Sequence, residues 1–140
     1  MPSENKLYIV GLGPGGRGQM SLQAARALEK SDFIVGYHTY LDLVEDLLQK
    51  KQVASTSMGG EVERAKKAVD LLEEGSVSLI SSGDPNIYGM AGLGLEMASG
   101  KVGLDRVEVV PGVTSFAAAA CSAGVVFRDS LAVISLSDLL

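Results

Sequence analysis

Leu7-Tyr8-Ile9-Val10-Gly11-Leu12-Gly13-Pro14-Gly15-Gly16 runs four apolar residues straight into a glycine-rich loop. A strand covered on both faces reads as a continuous apolar run, whereas a half-exposed one alternates. Residues 7–10 therefore predict a strand inside a sheet with helices on both sides. Working outward, the same pattern recurs at 32–36 around Phe33-Ile34-Val35, at 76–81, at 106–110 before Pro111-Gly112, and at 131–136. Val53-Ala54 offers a further short strand. Helical periodicity fills the intervals. Ser21 is placed to cap a helix whose inner face carries Leu22, Ala25 and Leu28. Residues 40–50 carry Leu41, Val44, Leu47 and Leu48 on one side. Residues 61–74 turn Val62, Ala65, Val69 and Leu72 inward and Glu63, Arg64, Lys66 and Lys67 outward. Residues 88–98 and 114–123 complete the set. Strands alternating with helices predict βαβ units, and so an α/β domain with a mostly parallel five-stranded sheet flanked by helices.

The 140 residues fit one domain, with no internal repeat and no linker. The net charge of −5 argues against a nucleic-acid module, whose footprint is basic. The single cysteine, Cys121, forms no internal disulfide and reads as a small buried hydrophobe in an alanine-rich helix. No Cys/His cluster suggests a metal, and a reducing cytoplasm is the expected compartment. Residues 113–127, the most apolar stretch, fall short of a membrane span. The first residues do not resemble a signal peptide. The chain ends directly after a predicted strand, so a second domain is expected to follow.

In parallel sheets, ligands bind beyond the carboxyl ends of the strands, and three loops there have unusual composition. In the first, Gly11, Gly13 and Gly16 match the dinucleotide pattern G-x-G-x-x-G. The match is imperfect. The following helix begins only near Ser21, and the second strand ends in Gly36-Tyr37 without an acid for a ribose. The loop reads either as a tight turn or as backbone lying against a different ligand. In the second, Ser81-Ser82-Gly83-Asp84-Pro85, Asp84 is placed as a helix N-cap with Pro85 at the first helical position. Ser82 and Gly83 leave backbone open to a polar ligand. In the third, Pro111-Gly112-Val113-Thr114-Ser115-Phe116, the two hydroxyls stand at a helix start. All three loops should converge on one sheet edge. His38, the sole imidazole, is a surface residue or a base. No Ser-His-Asp set stands out.

Taken in order, the glycine loop, Ser82-Gly83-Asp84-Pro85 and Pro111-Gly112-Val113-Thr114-Ser115 resemble the tetrapyrrole (corrin/porphyrin) methylases across residues 7–140. Within that family the likeness is to the branch that methylates C17 of precorrin-3B (or cobalt-precorrin-3) with ring contraction. Three stretches carry the narrower likeness: Val35-Gly36-Tyr37-His38-Thr39-Tyr40-Leu41; residues 81–92; and Ala132-Val133-Ile134-Ser135-Leu136-Ser137-Asp138-Leu139-Leu140. The resemblance implies the N-terminal lobe of a bilobal, S-adenosylmethionine-dependent methyltransferase of cobalamin biosynthesis. It implies cofactor contacts at Pro14, Ser82, Gly83, Asp84, Ile87, Thr114 and Ser115. The tetrapyrrole then lies toward Gly13, Gly15, Gly16 and Arg17. His38 or Asp84 would assist proton movement, and Arg17 and Arg128 would clamp carboxylates. A homodimer is expected of the full-length enzyme, and the lobe alone is expected to be inactive. Asn86 departs from the family's common Gly, and Phe127-Arg128-Asp129 from a form with His before Asp. Other readings are another precorrin or uroporphyrinogen methylase, a nucleotide-binding module without catalysis, or a nicotinamide-dependent oxidoreductase. An apolar patch at Leu136, Leu139 and Leu140 would favour the module.

Overall fold

The computed structural model describes residues 4–137. Five strands, β1 (Leu7–Gly11), β2 (Phe33–Tyr37), β3 (Gln52–Thr56), β4 (Val77–Ser81) and β5 (Val107–Val110), form one sheet in the order β3-β2-β4-β1-β5. Every pairing is parallel, with Leu7 beside both Val77 and Val107. The helices are α1 (Leu22–Lys30), α2 (His38–Asp42), α3 (Glu61–Asp70), α4 (Ala91–Ser99) and α5 (Ser115–Ala123).

Alternate side chains of the central strands feed two cores. Leu7, Ile9, Val35, Val77 and Leu79 meet Ala65, Ala68 and Val69 of α3 and Ala91 and Ala98 of α4. Tyr8, Val10, Ile34 and Ile80 meet Ala24, Ala27 and Leu28 of α1, together with Leu41 and Val44. Gly94 lets α4 approach the sheet closely, since a Cβ there would lie 2.6 Å from Cδ1 of Ile9. Truncating a fully buried side chain such as Leu79 to alanine costs about 2–5 kcal/mol. One polar tie crosses the second core. The hydroxyls of Ser31 and Ser78 share a 2.7 Å hydrogen bond, and Ser31 Oγ also donates to the Ala27 carbonyl.

The sheet has its expected five strands, but β3 (Gln52–Thr56), which contains the short strand offered at Val53-Ala54, takes the place of 131–136. Residues 131–136 form no strand. The Tyr88 hydroxyl donates to the Val133 carbonyl (2.9 Å), holding that segment against the β4 loop, and Ile134 and Leu136 are about three-quarters exposed. An apolar run has the same pattern on a surface as in a sheet. Leu139 and Leu140 of the expected apolar patch lie outside the described residues, as does the end of the third motif stretch.

Several helices also differ from expectation. Residues 40–50 are not one helix. It starts earlier, at His38, and tightens at Leu43 and Val44, whose amides reach back only three residues. A separate 3-10 turn follows at Glu45–Leu47. Residues 61–74 divide likewise, the α-helix ending at Asp70 and a 3-10 turn covering Leu71–Glu73. Ser21 caps α1 as expected, accepting from the Ala24 amide at 3.0 Å. The buried face of α1 is Ala24, Ala27 and Leu28, however, and Leu22 is exposed. On α3 the inner stripe runs through Arg64, Ala65, Ala68 and Val69, which leaves Val62 half-exposed and buries Arg64. The helix expected over 88–98 begins at Ala91, because Tyr88 has φ +52°, a left-handed conformation that interrupts a helix. No residue of α5 is buried, and Cys121 is exposed. The alanines of α5 do not pack tightly on the sheet. Among the described residues no helix is long and apolar enough to cross a membrane.

Candidate functional site

β4, β1 and β5 are neighbours and parallel, so the loops that leave them emerge side by side. The β1 and β4 loops meet through backbone. Gly13 and Gly83 exchange two hydrogen bonds, Gly13 N–H to Gly83 O (3.1 Å) and Gly83 N–H to Gly13 O (2.8 Å), while the Leu12 amide donates to Ser81 O (2.9 Å). Both glycines have positive φ, +79° and +58°, where an L side chain is strained. A Cβ on Gly11 would come within 2.6 Å of Gly83 O and 2.8 Å of Gly112 N, so the loops touch only because side chains are missing there.

Asp84 ties two of the loops together. Its Oδ1 accepts from the Asn86 amide (2.8 Å) and its Oδ2 from the Gly112 amide (3.0 Å). It therefore does not cap a helix as its sequence context suggests. The turn at 84–90 spends the carboxylate on a local bend and on the β5 loop, and α4 starts after Met90 without a side-chain cap. Thr114 does cap α5, accepting from the Ala117 amide at a long 3.4 Å.

Pro14, Ser82, Gly83, Asp84, Ile87, Thr114 and Ser115 line one cavity of about 180 Å³, with Phe116 completing it. These seven are the positions to which the family resemblance assigned cofactor contacts, and the fold brings them together. Phe116 was missed, although it directly follows the two hydroxyls. The lining combines hydroxyls and open backbone with an aliphatic and an aromatic side chain. That suits a ligand with polar groups at one part and a flat apolar part elsewhere. Among the described residues no hydrogen bond joins one of these hydroxyls to Asp84, whose oxygens accept the Asn86 and Gly112 amides.

The remaining candidates are spread out. Gly13 is buried in the loop pairing, Gly15 is half-exposed at the rim, and Gly16 and Arg17 are exposed. Arg17 Nη1 donates to Asp46 Oδ2 at 3.1 Å in an exposed ion pair. Arg128 is exposed beyond α5. His38 opens α2 at the end of β2, with β4 standing between β2 and β1, and its ring lies 4.3 Å from that of Tyr37. It is exposed and does not line the cavity. Among the described residues no group of three or more His, Cys, Asp or Glu is placed to hold a metal.

A second cavity, of about 160 Å³, adjoins the first through shared Ser82 and Ile87 and is lined further by Tyr40, Glu61, Arg64 and Tyr88. Sequence reasoning placed Arg64 on a solvated face. Counting the core stripe from Ala68 and Leu71 would have put Arg64 four and seven residues back on the same side.

A family model described as Tetrapyrrole (Corrin/Porphyrin) Methylases matches residues 6–139. The cobalamin biosynthesis protein CbiHC of Archaeoglobus fulgidus is 46% identical over 140 residues, covering 100% of this chain and 31% of that protein. A probable cobalt-factor III C(17)-methyltransferase of Salmonella typhimurium is 46% identical over 136 residues, covering 96% and 56% respectively. The chain thus spans about half, or less, of the length of these relatives. Among solved structures, the methyltransferase CobJ superposes with a TM-score of 0.77 at 28% identity, covering 86% of this chain and 52% of that one. The uroporphyrin-III C-methyl transferase from Thermus thermophilus complexed with S-adenyl homocysteine gives 0.61 at 28% identity, covering 82% and 48%.

Proposed function

Because the chain belongs to the tetrapyrrole (corrin/porphyrin) methylases, we propose that it is the N-terminal lobe of an S-adenosylmethionine-dependent enzyme that methylates C17 of a precorrin-3B-type macrocycle, with ring contraction, in cobalamin biosynthesis. The observation that carries this reading is the single cavity into which three separate loops bring Pro14, Ser82, Gly83, Ile87, Thr114 and Ser115. The relatives named for cobalt-factor III methylation favour a cobalt-containing acceptor.

The residues present fit the cofactor. Ser82, Thr114 and Ser115 offer hydroxyls for its polar atoms, and Ile87 and Phe116 offer apolar surface for its base. When bound, S-adenosylmethionine supplies a methyl group already activated on a sulfonium. The protein's part is then orientation and exclusion of water. Asp84 holds the β4 and β5 loops in register, because both its oxygens accept backbone amides. Asp84, on the cavity, and His38, outside its lining, remain the two candidates for moving a proton. Gly15, Gly16 and Arg17 form the rim toward the tetrapyrrole. The cavity is smaller than the ~300–1,000 Å³ usual for such ligands, and a second lobe would supply the opposite wall. We place the enzyme in the cytoplasm as a homodimer, on the biosynthetic roles in its relatives' names and on the apolar surface of α5.

Calorimetric titration of the chain with S-adenosylhomocysteine and, separately, NAD tests this reading. Binding of the former alone supports it. Preference for NAD would restore the oxidoreductase reading and overturn it.

A further inference from the structure

We propose that the cavity beside Arg64 is a carboxylate-binding subsite. Arg64 is 4% exposed, and a buried charge is costly unless it is paired. The ion pairs among the described residues are Arg17–Asp46 and Lys101–Asp70, so Arg64 has no carboxylate partner there. Its guanidinium carries five N–H donors. Nε donates to Thr56 Oγ1 (2.7 Å), Nη2 to the Ser57 carbonyl (3.2 Å), and Nη1 to Met90 Sδ (3.7 Å), a weak acceptor. Two of the five N–H groups have no acceptor among the described residues. The Tyr37 ring, its centroid 5.9 Å from Cζ, stabilises the cation but brings no counter-charge.

An arginine held this way, on the wall of a cavity, is preorganised for a carboxylate, whose two oxygens match the guanidinium fork. The chain is acidic as a whole, so this is a local cationic point in a repelling field. Glu61, on the same cavity, forms no ion pair with Arg64 and opposes an incoming anion. Ser82 and Ile87 line both cavities, so the two adjoin and one extended ligand could occupy both. Two ligands of the proposed reaction bring carboxylates: the tetrapyrrole, through its acidic side arms, and the cofactor, through its amino-acid part. The inference rests on that reading only for the identity of these ligands.

The test uses the 140-residue chain and two ligands. Uroporphyrin III, a stable tetrapyrrole with acidic arms, is titrated by fluorescence, and S-adenosylhomocysteine by calorimetry. Arg64→Met should weaken one of the two by roughly tenfold or more, as loss of a charge-assisted contact does, and Arg64→Lys should restore part of it. The ligand affected identifies the source of the carboxylate. If Arg64→Met does not fold, Glu61→Gln, at an exposed position, should tighten the same ligand by about threefold through lost repulsion. Affinities within twofold of wild type for both ligands in every folded variant overturn the proposal, as does a wild-type chain that binds neither. If S-adenosylhomocysteine binds and Arg64 is indifferent, this inference fails and the proposed function stands. If uroporphyrin III responds to Arg64 while S-adenosylhomocysteine does not bind at all, the converse holds.

Discussion

Asp84 connects two loops that are distant in sequence, and its removal should be felt in both stability and binding. Asp84→Ala deletes the acceptor for the Asn86 and Gly112 amides, which should cost about 1–3 kcal/mol in chemical denaturation. It should also weaken S-adenosylhomocysteine by roughly tenfold, because the β5 loop loses its register. An unchanged denaturation midpoint would show that the bridge is not structural. The glycines divide just as sharply. Gly11→Ala would push a Cβ against Gly83 O, Pro85 Cδ (2.7 Å) and Gly112 N and should destabilise by about 1–3 kcal/mol. Gly16→Ala meets nothing within 4 Å and has an ordinary φ of −55°, so its melting temperature should hold or rise slightly. Sequence reasoning left the glycine loop as either a tight turn or backbone lying against a ligand. It could not rank these glycines, because the difference lies in which neighbouring backbone approaches, and those neighbours are in other loops. The same limit explains Asp84. Asp-Pro before a periodic segment reads as a cap, and only the proximity of the Gly112 amide reveals the alternative.

At the level of elements, strands were legible and helix faces less so. β1, β2 and β4 are covered on both sides, and an unbroken apolar run is an unambiguous sign of that. The helices of this chain are short and rich in alanine, so several stripes compete. On α1 the candidates Leu22–Ala25–Leu28 and Ala24–Ala27–Leu28 differ by a small rotation, and packing chose the smaller residues. Leu131–Leu136 failed as a strand for a related reason, since apolar composition does not say against what it packs. α5 shows the same ambiguity in a testable form. It has an alanine-rich sequence suited to burial and no buried residue. Amide hydrogen exchange should therefore release α5 and residues 125–137 well before β1 and β4, whose side chains are buried throughout. Comparable protection across all of them would mean that α5 is covered in solution, and sedimentation would show by what.

For the molecule as a whole, the cavity is small, about 180 Å³ against the ~300–1,000 Å³ usual for a bound small molecule. The chain alone should bind S-adenosylmethionine weakly and transfer no methyl group detectably, because the ligand stays largely solvated and unoriented. Efficient turnover by the 140-residue chain in a methyl-transfer assay would refute this. The strand order has a further consequence, one of timing. β1 bonds to β4 and β5 and to no strand between them in sequence, so Leu7 waits for Val77 and Val107. During synthesis the first strand emerges apolar and unpaired while α1, β2 and β3 are being made. It becomes part of a sheet only when the fourth strand arrives. Pairings this distant delay closure of the fold, and refolding should proceed in milliseconds to seconds, as is usual for non-local topologies. Throughout that interval Leu7, Ile9 and Val10 remain open to the wrong partner, so yield on refolding should fall as chain concentration rises.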